Sequence, residues 1–97
     1  MQETPDWFDA TEPSLQYEVK KGIKAVKEYL DKHPESINDK NDAGCSALHY
    51  ASMFGNLDIV KYLLSKGAEI NKADEEGNYP IHAAFFYHRR KIIEFLL

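Results

Sequence analysis

Four histidines and one cysteine are the side chains in this 97-residue sequence best suited to bind a metal or move a proton: His33, His49, His82, His88 and Cys45. A tetrahedral zinc site needs four converging ligands. His49 and His82 have only Cys45 near either of them in sequence, and the loop-like settings of His33 and His88 do not supply the fourth ligand. Ser46 has no base and orienting acid beside it, so the chain carries no local signature of an activated nucleophile. Gly44, Gly55, Gly67 and Gly77 are isolated rather than clustered, which excludes a glycine loop built to cradle phosphate. The expectation is no catalytic residue, no bound metal and no cofactor. The lone Cys45 cannot form an internal disulfide, which suits a reducing compartment.

The elements that position these residues repeat. Gly44-Cys45-Ser46-Ala47-Leu48-His49-Tyr50-Ala51 returns as Gly77-Asn78-Tyr79-Pro80-Ile81-His82-Ala83-Ala84, and 77 minus 44 gives a shift of 33 residues. The same shift carries Ile59-Val60 onto Ile92-Ile93, and Leu63-Leu64 onto Leu96-Leu97. Backwards, it carries Gly55 onto Gly22, Ile59 onto Val26, Leu63 onto Leu30 and Asn71 onto Asn38. His49 and His82 therefore recur because one fold position recurs. A unit so short cannot bury its own apolar face and must stack on copies of itself.

Within the middle unit, Leu48, Ala51 and Ser52 stand at helical spacing, with small residues that allow close approach of a neighbour. Ile59, Val60, Leu63 and Leu64 form the apolar stripe of a second helix. Gly55 joins the two as an antiparallel hairpin, and Gly67 after Lys66 stops the second helix. The polar stretch from Ala68 to Gly77 reads as a turn projecting from the stack. In the first unit, Ser14 is the expected N-cap, with Leu15 and Val19 pointing inward. Gln16 takes the place of the repeated histidine and Glu18 that of Ala51 and Ala84, deviations expected where an outer face meets water.

The run Asn41-Asp42-Ala43-Gly44-Cys45-Ser46-Ala47-Leu48-His49-Tyr50-Ala51, then Gly55-Asn56-Leu57-Asp58-Ile59-Val60, Leu63-Leu64 and Gly67-Ala68-Glu69-Ile70-Asn71, resembles the ankyrin repeat. The resemblance implies an all-α repeat solenoid of about three helix-turn-helix units with β-turn fingers, and a concave groove formed by fingers and first helices. Residues 14–97 make the repeat domain, with units at about 14–40, 41–73 and 74–97, the last truncated. Residues 1–13, with Trp7 and Phe8, read as an N-terminal tail or an edge-covering segment. The resemblance also implies that His49 and His82 hydrogen-bond finger backbone. Ser46-Ala47 departs from the family's Thr-Pro. His88-Arg89-Arg90 replaces its glycine-initiated turn, which His88 tolerates by entering the left-handed region.

Function is then expected at the surface. Met53 and Phe54, followed one unit on by Phe86 and Tyr87 and preceded by Lys20 and Lys21, form a row beside the fingers that runs from basic to apolar to aromatic. Finger residues Asp42, Ala43 and Cys45, then Glu75, Glu76 and Asn78, flank it with acidic character. Such a surface suits a protein or peptide partner with apolar anchors and basic residues. A net charge of -4 argues against nucleic acid as a partner, and the clusters Lys20-Lys21 and Arg89-Arg90-Lys91 read as solvated helix faces. No apolar run approaches the roughly 20 residues of a membrane span, and no secretory signal opens the chain, so a soluble cytoplasmic or nuclear protein is expected. Leu97 closes the sequence within a helix without a glycine stop or polar cap. The expectations are a fragment of a longer protein, a regulatory or targeting segment of a multidomain enzyme or ligand-binding protein, or a homodimer through the uncapped edge.

Overall fold

The computed structural model describes residues 14–97; the expected tail at residues 1–13, with Trp7 and Phe8, lies outside them. The elements are α1 (Leu15–Lys21), α2 (Ile23–Lys32), a short 3-10 turn (Pro34–Asn38), α3 (Ala47–Phe54), α4 (Leu57–Ser65), α5 (Pro80–Phe86) and α6 (Arg90–Leu96). Each odd helix packs on the even helix that follows it. The odd helices form one layer, α1 on α3 on α5, and the even helices the other. Three helix pairs and no strand among the described residues make the all-helical repeat stack expected from the sequence.

The repeated stripe is the core. Val26, Ile59 and Ile92, one unit apart, are each no more than 1% exposed. Burial of such a side chain is worth about 1.5–3 kcal/mol. Leu15 and Leu48 line the same seam; Ile81, their counterpart, is partly exposed because no described element covers its outer side.

Local signals fix the ends. The Ser14 hydroxyl accepts the Tyr17 amide N–H at 3.1 Å, and the Asn56 side chain accepts that of Ile59 at 3.1 Å. Gly55 ends α3 at φ 80°, and a side chain there would meet the Arg89 Cδ at 2.7 Å. Its counterpart His88 adopts φ 56°, so the glycine-free corner does enter the left-handed region. Arg89 secures that corner by donating from Nε to the Met53 carbonyl at 2.8 Å.

Two expectations need correction. Met53 does not face the groove: it is 2% exposed, because α3 is enclosed by α1, α4 and α5 and every residue from Ala47 to Met53 is buried. Gln16 is not a water-facing deviation but is buried and hydrogen-bonded, as described below. The 3-10 turn, opened by Pro34, was also not expected.

Candidate binding groove

The fingers repeat to the atom. Asn41 Oδ1 accepts the backbone N–H of Ala43 at 3.0 Å and of Cys45 at 2.9 Å. One unit later, Asp74 Oδ1 accepts the N–H of Glu76 at 2.9 Å and of Asn78 at 2.8 Å. Asx side chains favour such turns because they satisfy the backbone two residues on. The fingers also touch, since Glu75 N–H donates to the Ala43 carbonyl at 3.1 Å. A Cβ on Gly44, at φ 77°, would stand 2.8 Å from that same Glu75 nitrogen. Glycine is required there by contact as well as by φ.

Buried side chains tie the first helices α1 and α3 to the finger that follows each. His49 Nδ1 accepts the Ser46 N–H at 3.2 Å, which leaves the proton on Nε2 to be donated to the Asn78 carbonyl at 2.9 Å. Burial lowers the imidazole's pKa and keeps it neutral. Gln16 does the equivalent work one unit earlier, donating from Nε2 to the Cys45 carbonyl at 2.9 Å and to Asp39 O at 2.7 Å. His82 Nδ1 accepts the Tyr79 N–H at 2.8 Å, repeating the first half of the arrangement. His49 is thus a clamp on finger backbone, as the resemblance implied, whereas among the described residues His82 bonds only the start of its own helix.

Between the two fingers and the first helices α3 and α5 lies a cavity of about 530 Å³. Five expected binding residues line it: Cys45, Glu76, Asn78, Phe86 and Tyr87. Phe86 is 73% exposed and Tyr87 43%, so the aromatic end of the row is open to a partner. Ala43, one of the expected finger residues, also lines it; His49, Asp74 and Ala83 complete the wall and were not expected there. Asp74 was legible as the counterpart of Asn41, and Ala83 as that of Tyr50.

The other expected residues lie elsewhere. Asp42 and Glu75 are exposed on the fingers. Phe54 is partly buried and stacks on Tyr50 at 6.4 Å between ring centroids. Lys20 and Lys21 are exposed at the far end of the row, where Lys21 pairs with Glu18 at 3.4 Å.

Burial, and then the Asp74 charge, push the Cys45 thiol up to about 11, so it stays protonated and a poor nucleophile at neutral pH. Burial likewise raises the Tyr50 phenol and keeps it neutral. Among the described residues no three His, Cys, Asp or Glu side chains are grouped to hold a metal ion. No described helix is long and apolar enough to cross a membrane.

Comparison with known proteins agrees with this geometry. A family model described as ankyrin repeats (3 copies) matches residues 15–97, and the chain belongs to the ankyrin repeat family. It is 42% identical over 65 residues to a transient receptor potential cation channel subfamily A member 1 homolog of Caenorhabditis elegans, a match covering 67% of this chain and 5% of that protein. It is 37% identical over 90 residues to human BCL-6 corepressor-like protein 1, covering 92% of this chain and 5% of that protein. With ankyrin repeat protein nuc-2 of Neurospora crassa the identity is 35% over 78 residues, covering 77% and 7% respectively. The chain thus spans only a small part of the length of these relatives. Ankyrin repeats are generally protein-interaction modules.

Proposed function

We propose that this chain is a non-catalytic protein-binding module that recognises a partner protein or peptide through the concave groove and its fingers. The observation that carries the reading is the juxtaposition of exposed Phe86 and Tyr87 with the acidic finger residues Asp74 and Glu76 around one cavity. Large aromatics in a partly apolar recess are the side chains that dominate interface energetics. Asp42, Cys45, Glu75 and Asn78 extend the surface along the fingers. Phe54, Lys20 and Lys21 extend it along the row. A rigid stack supports this use, since the fingers are fixed by buried hydrogen bonds before any partner arrives.

Capture of partners from a native lysate with the unmodified chain and with Phe86→Ala/Tyr87→Ala tests the reading. The double variant should lose the captured protein while keeping its circular dichroism and melting temperature. Capture unchanged by the pair removes the assigned face.

A second reading is that the module regulates or targets a larger multidomain protein, and the small share of each relative that it spans favours this. Attaching the chain to a reporter and following its cytoplasmic or nuclear placement, with and without the groove pair, tests that role. A third reading is a homodimer through the C-terminal edge of the stack, favoured by Phe95 at 44% and Leu97 at 85% exposure. Light scattering that gives a monomer mass at high concentration eliminates it.

A further inference from the structure

The cavity lies where one residue breaks the repeat. In the second unit Tyr50 is fully buried beneath its finger; its hydroxyl receives a hydrogen bond from the Asn41 amide and its ring stacks on Phe54. The same shift of 33 residues carries Asn41, Tyr50 and Phe54 onto Asp74, Ala83 and Tyr87. All three of these counterparts line the cavity. The third unit therefore has the finger and the stacking partner of a tyrosine niche, but an alanine methyl where the ring would start.

The finger group has changed as well. Asn41 uses its oxygen to hold the turn and its amide to donate to the phenol. Asp74 holds the turn with one oxygen, and its other oxygen has the Cys45 thiol at 3.9 Å. A neutral donor has become a charged acceptor, and Glu76 adds a second carboxylate to the same wall. An occupant must bring a flat face for Tyr87 together with N–H donors and positive charge for Asp74. The first unit gives an internal precedent for a cation on an aromatic at this register: Lys21, counterpart of Tyr87, sits 4.9 Å from the ring centroid of Tyr17, counterpart of Ala83.

We propose that this niche receives an arginine side chain from the partner protein. The guanidinium is planar, so it stacks where a ring would stack, and its fixed fork of donors pairs with carboxylates. Lysine has the charge without the flat face, and tyrosine has the ring without the charge. The proposal rests on the groove reading above and adds to it the residue that is read.

The test is selection of a random displayed peptide library on the full chain, followed by titration of a selected peptide and of its arginine-to-citrulline counterpart. Citrulline keeps the planar shape and removes the charge. The expected results are one fixed arginine in the selected peptides and a loss of about tenfold or more on its replacement. Asp74→Asn should cause a similar loss with an intact fold, because Asn41 shows that asparagine holds the finger equally well. Asp74→Asn/Ala83→Tyr, which rebuilds the second unit's pair, should close the niche. Peptides that depend on Phe86 and Tyr87 but carry lysine, tyrosine or no fixed residue overturn the arginine niche and leave the groove reading standing. Peptides indifferent to Phe86 and Tyr87, or no selected peptide at all, overturn both.

Discussion

The second and third units have the same backbone plan and opposite surface economies. In the second, Tyr50 fills the space under the finger, Met53 is enclosed and Phe54 stacks on the tyrosine. In the third, the counterparts Ala83, Phe86 and Tyr87 leave a cavity and two exposed rings. The difference separates two pressures on a repeat: positions between layers keep apolar volume for stability, whereas a position released from that duty can change chemistry without unfolding the stack. Ala83 is the clearest case: it lines the recess at the register where the second unit buries the Tyr50 ring.

The comparison can be broken first in the core. Ile59→Ala should cost about 2–5 kcal/mol, and Ile92→Ala less within that range, because Ile59 lies between layers on both sides; urea denaturation measures both. Equal losses would mean that position along the stack does not control burial energy. The corners come next. Gly55→Ala forces a side chain to φ 80° and against Arg89, and should destabilise by about 2 kcal/mol. His88→Gly relieves the strained counterpart and should raise the melting temperature slightly.

The clamps differ in their response to acid. Folding lowers the proton affinity of His49, so as pH falls below about 6.5 the unfolded chain takes up the proton first. Stability from this group is complete above that pH and is lost as pH falls through the folded pKa. Gln16 makes the equivalent finger bond and does not titrate. His49→Gln should therefore cost about 1 kcal/mol at pH 7 through the lost Ser46 contact, yet flatten the acid limb of the stability profile. An unchanged limb would locate the acid sensitivity elsewhere. The smallest effect belongs to Ser52, whose buried hydroxyl has no hydrogen-bond partner among the described residues. Ser52→Ala should be neutral or stabilising by a few tenths of a kcal/mol, as thermal melts will show.

Much of the fold was legible because the repeat is written in residue types that a helix, a turn and a cap each require. Ser14, Gly55 and Gly67 mark their ends by local chemistry that does not depend on tertiary context. Met53 was misplaced because helical spacing gives the angle of a side chain but not how many neighbours surround the helix. Gln16 was underrated because sequence alone treats a histidine-to-glutamine change as lost identity, whereas the finger carbonyl asks only for an N–H donor. Of the groove, Phe86 and Tyr87 could be found from their register. That Asp74 and Ala83 share a cavity wall is not legible in their residue types, because it depends on how the finger and α5 pack.

The proposed reading of a partner by the third unit can be checked at residue level through amide chemical shifts of the labelled chain during titration with a selected arginine peptide. Changes should concentrate at Asp74, Glu76, Ala83, Phe86 and Tyr87 and spare α2 and α4. Changes concentrated instead on α2, α4 and α6 would contradict it.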